Sequence, residues 1–103
     1  MIKPDLFDVV ELLTTFPDHD LKVGEQGTIV ELYPDGSYEV EFSNDQGETL
    51  ALCPLSSEQF MVVWQAKMKA WVSLADGLMA LINHLPNERQ QEVLDFAFSL
   101  CQN

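Results

Sequence analysis

Thr28-Ile29-Val30-Glu31-Leu32-Tyr33, then Pro34-Asp35-Gly36, then Ser37-Tyr38-Glu39-Val40-Glu41-Phe42: two β-patterned runs flank a turn signal. Pro34 presets the backbone for a turn, and Gly36 supplies the position that needs a positive φ. In the second run Tyr38, Val40 and Phe42 alternate with Glu39 and Glu41. One face is apolar and the other acidic, as in a strand with one side buried.

The pattern continues on both sides. Phe7–Leu13 is rich in β-branched and apolar residues and reads as a first strand. Thr14–Gly24 is a polar loop containing Pro17, with Leu21 and Val23 expected to tuck under the sheet. Gly24 and Gly27 bracket the entry to the second strand. Ser43–Gly47 is a second Asn/Asp/Gly turn, followed by a strand at Glu48–Cys53. Pro54–Gln59 breaks the pattern into one short helical turn, and Phe60–Trp64 makes a fifth strand. Five short strands with these turns predict a small antiparallel barrel, which leaves few open edges.

After Trp64 the apolar period lengthens from two to about 3.6. Gln65–Trp71 reads as an extension of strand five or as a linker. Ser73 caps a helix, with Asp76 three residues on. Leu74, Leu78, Leu81, Ile82 and Leu85 then share a face. Pro86 interrupts, and Asn87 is placed to cap a second helix, with Gln90 at the matching offset. Val93, Leu94, Phe96, Ala97, Leu100 and Cys101 form its stripe. The expected fold is therefore α+β: a five-stranded antiparallel barrel over residues 1–65, then a linker and helical hairpin over 66–103. Isolated helices this short are marginal in water, so the stripes must dock. The first expectation is packing on the chain's own barrel. A second copy or a different protein is the alternative.

Charge is the strongest compositional feature. Of 103 residues, 17 are acidic and five are Lys or Arg, for a net −12. Residues 1–60 hold 13 acids and two lysines, whereas residues 61–103 hold four acids and three bases. This surface disfavours nucleic acid and anionic membranes and would steer a basic partner. Equally, the acids serve solubility. No apolar run is long enough to span a bilayer, and no export signal follows Met1. The two cysteines, Cys53 and Cys101, lie far apart, so reduced thiols in the cytoplasm are expected. With 47% apolar residues the chain reads as globular.

No stretch specifies a reaction. Asp18-His19-Asp20 offers adjacent ligand types, a weak metal signal that reads better as a solvated loop. Cys53 and His19 lie on different elements, and a half-buried strand cysteine is ordinarily inert. Gly24-x-x-Gly27 lacks the Lys-Ser/Thr ending and following helix of a phosphate loop. Glu39 and Glu41 are expected to face water. Trp64 reads as core, and Trp71 as a contact residue.

Phe7-Asp8-Val9-Val10-Glu11-Leu12, Gly24-x-x-Gly27-Thr28-Ile29-Val30, Tyr38–Phe42, Gly47-Glu48-Thr49 and Leu55–Phe60 together resemble an uncharacterised family of small bacterial proteins, a domain of unknown function. The resemblance covers about the first two thirds of the chain. It implies an SH3-like barrel, similar in plan to the small barrel of nitrile hydratase β-subunits. Leu85-Pro86 and Gln91-Glu92-Val93-Leu94-Asp95-Phe96 resemble a segment of short antitoxin-like proteins, although this chain lacks their basic, DNA-binding N-terminus. Together these imply a non-enzymatic module, without cofactor or metal, that binds and neutralises or stabilises a protein partner. The partner-binding candidates are Glu39, Glu41, Trp71, Leu78, Ile82 and Phe96. A homodimer through the C-terminal helices stays open. The alternative is a small accessory or assembly subunit of a larger enzyme.

Overall fold

The computed structural model describes residues 2–102. Met1 and Asn103, the outer ends of the two expected spans, lie outside the described residues. The chain is α+β. Its strands are β1 (Val9–Leu12), β2 (Gln26–Leu32), β3 (Tyr38–Ser43), β4 (Thr49–Leu55), β5 (Phe60–Gln65) and β6 (Ala70–Trp71). Two helices follow, α1 (Leu74–Asn83) and α2 (Asn87–Cys101). All neighbouring strands are antiparallel, in the order β4-β3-β2-β1-β5-β6.

Both turn signals act as expected. Gly36 takes φ +89°, its N–H donates to Tyr33 O, and Asp35 Oδ1 accepts from Ser37 N. Asn44 Oδ1 accepts from Gln46 N and Glu48 N, and Gly47 closes the turn at φ +81°. The alternation then buries one face. Val10, Leu12, Ile29, Val40, Phe42, Cys53, Leu55, Phe60 and Val62 form a continuous core, with Leu21 beneath it. Phe60 meets Tyr38 edge-on at 5.5 Å between ring centroids, a favoured aromatic geometry. Gly27 lies where strands approach closely: a Cβ there would sit 2.7 Å from Val40 Cγ1 and 2.9 Å from Glu41 O.

Several expectations are corrected. Among the described residues the strands number six, not five, and the sheet is open, with β4 and β6 as its edges. The sixth strand comes from the segment that sequence left between strand and linker. Lys69 adopts φ +50°, which reverses the chain and sets Trp71 opposite Trp64. The first strand begins at Val9 because Phe7 takes φ +69°, inside a turn closed by Asp8 N to Asp5 O. β4 runs on through Pro54, whose missing N–H is tolerated on an edge strand. Ser57–Gln59 forms the expected helical turn, closed by Ser56 N donating to Gln59 Oε1. Leu21 is buried, but Val23 is exposed.

Ser73 caps α1 as expected, its Oγ accepting from Asp76 N at 3.1 Å. Asn87 does not cap α2. It is the first residue of that helix, and Pro86 holds the cap position with no side-chain bond. Gln90 instead donates to Ile82 O and Leu85 O, closing the carbonyl end of α1. With only His84–Pro86 between them, the helices meet at this corner and do not lie back to back.

Candidate interaction surface

α1 lies over β5, and α2 projects beyond the sheet. A compact chain of this length has a radius of gyration of about 13 Å. This one measures 15.1 Å and extends 46 × 32 × 31 Å. Neither helix contains a buried residue. Among the sequence candidates, Leu78, Trp71 and Phe96 are exposed at 51%, 67% and 65%. Ile82 is half-buried. Around them Leu74, Met79, Leu94, Phe98 and Leu100 are also exposed. The expectation that the helices pack on the chain's own sheet is therefore met only by α1, which lies over β5 without burying a residue.

A cleft of about 520 Å³ opens where α1, α2 and the sheet meet. Leu78, Leu81, Ile82, Leu85 and Val93 form its helical walls, and Leu13 and Val23 its sheet side. Glu58 and His84 are its polar members. His84 Nδ1 lies 2.8 Å from Ala80 O, and Nε2 lies 3.5 Å from Ser57 O across the gap. A second, smaller gap of about 190 Å³ separates α1 from β5, next to Met61, Val63 and Val72. The sequence reading found the apolar stripes but not the larger cleft, because Leu13 and Val23 on its far side lie distant along the chain.

Glu39 and Glu41 share the outer sheet face. Glu41 stands opposite Thr28 and Leu52, and Glu39 opposite Glu31 and Pro54. Neither side chain projects freely into water. Glu41 accepts from Thr49 Oγ1 at 2.9 Å. Glu39 is half-buried; its Oε2 accepts from the Tyr33 hydroxyl at 2.7 Å, and its Oε1 is buried without a partner. The Glu39 bond holds the Tyr33 proton, with desolvation and nearby Glu31 and Asp35 adding to it, and pushes Tyr33 up to about 12. Exposed Leu50 and Leu52 on β4 border this acidic face.

Other chemistry-bearing side chains have structural partners. Asp8, the one buried charged residue among those described, accepts from Asp5 N at 2.9 Å and Ala66 N at 2.8 Å. It ties the start of β1 to the end of β5. Sequence analysis missed this role, which only the residue-66 contact reveals. The Lys67 ammonium contacts Asp5 at 2.6 Å and holds that carboxyl below its ordinary value. Burial pushes the Cys53 thiol up, as does the Glu39 charge, so it is a poor nucleophile. Asp18 and His19 lie in a short 3-10 turn. Among the described residues, no group of three His, Cys, Asp or Glu side chains is arranged to hold a metal ion. No described helix is long and apolar enough to cross a membrane.

The sheet falls within a domain family of unknown function. Residues 6–62 match the domain of unknown function DUF4926, and the chain belongs to that family. The match covers β1 to the first half of β5 and excludes β6 and both helices. No curated protein and no solved structure matches the chain.

Proposed function

We propose that this chain is a non-catalytic interaction module that binds and neutralises or stabilises a protein partner, in an antitoxin- or immunity-like role. The observation that carries the reading is α2, a 15-residue amphipathic helix with no buried residue. Such a helix needs a docking partner to be stable in water. The sheet module, residues 1–65, supplies an acidic field that draws a basic partner and raises its on-rate. Residues 66–103 supply the apolar contact, with β6 strapping the linker to β5. The placement of β1 between β2 and β5, with a helical turn before β5, supports an SH3-like barrel left open between β4 and β6. Free Cys53 and Cys101 fit a reducing cytoplasm.

A second reading, an accessory subunit of a larger enzyme, is favoured by the open β4 edge with exposed Leu50 and Leu52. Purification of the tagged full chain from its own cells separates the two. The module reading expects one small, basic, stoichiometric companion, released by salt. A large multisubunit enzyme in its place supports the accessory reading. No stoichiometric companion under gentle, low-salt conditions refutes both.

A further inference from the structure

β4 is the long open edge of the sheet. β6, the other edge, has two residues, whereas β4 has seven. Native edge strands are usually kept short or guarded by charges. Thr49-Leu50-Ala51-Leu52-Cys53-Pro54-Leu55 carries no charge. Its guards are Pro54 and the register shift beside Ser43. Among the described residues, only β3 makes backbone hydrogen bonds to this strand. Alternate N–H and C=O groups of an antiparallel strand point away from its neighbour, so β4 presents a row of backbone donors and acceptors outward. We infer that this edge seats an extended segment of a protein partner, bearing Lys or Arg, as a seventh strand. The seat rests on the reading of this chain as a binder of a basic protein, and it names where and in what form that partner is held.

Charge selects the occupant. From Val23 to Ala66 the chain has eight acids and no Lys, Arg or His. The ion pairs among the described residues, Lys67–Asp5 and Arg89–Glu92, leave all eight without a cation. Glu31 even stands opposite Glu39 on the outer face, a like-charge pairing that costs stability. A second copy added through its own β4 would put two such acidic faces on one sheet. A nucleic acid would bring phosphates. Neither supplies a cation.

The layout of the outer face fits basic side chains in particular. Leu52 stands opposite Glu41, and Pro54 opposite Glu39. The open edge is thus bordered by an apolar row, with Leu50 and Leu52 exposed, and behind it by an acidic row one strand further in. Strands lie about 4.8 Å apart, so the acidic row would sit about 10 Å from an added strand. A Lys or Arg projecting from that strand lays its stem across Leu52 and brings its charged end to Glu41. An apolar side chain in its place would cover the leucines and leave the carboxylates unmet.

Titration of the isotope-labelled full chain with a short synthetic peptide of alternating lysine and valine tests this by nuclear magnetic resonance. Shifted resonances and slowed amide exchange are expected along Thr49–Cys53, with binding that weakens as salt is added. The same peptide with all its amides N-methylated keeps its charge but has no donor for the ladder. It should bind at least about tenfold more weakly. Leu52→Lys puts a repelling charge on the edge at an exposed position and should also weaken binding at least about tenfold. Unchanged resonances away from β4 would show that the variant folds; if it does not, the two peptides on the wild type decide. No binding of the lysine peptide, equal binding of its N-methylated form, protection on a surface other than β4 or unaltered binding by a folded Leu52→Lys chain each overturns the proposal. A basic companion that the Leu52→Lys chain still retains from its own cells removes the β4 seat and leaves the module reading standing. A wild-type chain that retains no companion removes both.

Discussion

The sheet and the helix pair use similar amounts of apolar sequence to opposite ends. In the sheet, Val10, Leu12, Ile29 and Val40 are wholly buried, and each inward side chain has neighbours from adjacent strands. In α2, Phe96, Phe98 and Leu100 are more than half exposed. The sheet gains its burial from strands that converge from distant parts of the chain. The second helix follows a three-residue corner, His84–Pro86, that turns it away from that core. An apolar pattern thus predicts that a surface must be covered, and the connection preceding it decides whether the same chain does so.

The sharpest test exchanges equivalent residues between the regions. Phe60→Ala should cost about 3–5 kcal/mol in denaturant unfolding, because Phe60 is 2% exposed. Phe96→Ala, measured at concentrations where the chain is monomeric, should shift stability by no more than about 0.5 kcal/mol. Equal effects would mean that α2 belongs to the core.

Gly27→Ala probes the sheet's packing. Its new Cβ meets a backbone oxygen at 2.9 Å, which cannot rotate away, and the expected loss is about 1–3 kcal/mol. Wild-type stability in this variant would show that the strands separate easily. Asp8→Asn tests the join between β1 and β5. An amide offers only one acceptor oxygen to the two backbone donors of Asp5 and Ala66, so one donor is left unmet at a cost of about 1–3 kcal/mol.

The smallest effect is on the outer face. Spectrophotometric titration of the wild type should show one tyrosine ionising near 12, and Glu39→Gln should return it toward 10. The Tyr33 pKa is raised in the folded state. Its contribution to stability is therefore complete below pH 10 and is lost as the pH rises through about 12. An unchanged titration in Glu39→Gln would break the assigned hydrogen bond.

Much of the sheet was legible because its information is local. Pro34-Asp35-Gly36 and Ser43–Gly47 each name a turn, and alternation from Tyr38 to Phe42 names the buried side. The sixth strand was not legible. Ala70–Trp71 has no period of its own, and its pairing depends on Lys69 reversing the chain. The α2 boundary was misread because Asn87 and Gln90 fit a capping pattern, while Gln90 serves the end of α1 instead. For the candidate surface, the stripes of Leu78, Ile82 and Phe96 were readable as periodicity. The exposure of Phe96 was not, since it depends on the direction of the corner before α2. Glu39 was taken as facing water because alternation assigns faces without showing that Tyr33 reaches over it.

The central place of β1 sets a timetable for synthesis. Val10 pairs with Gly27 on one side and Val62 on the other, and Asp8 bonds to Ala66, 58 residues later. At about 5–20 residues per second, roughly 3–12 s separate the making of those two residues. During that interval the β1 edge that will receive β5 is unpaired and exposed to neighbouring nascent chains. The long loop it must close also places folding among slower, non-local topologies. Residues 74–101 leave the ribosome only after β5 has been made, so the sticky helices appear when the sheet can already be complete.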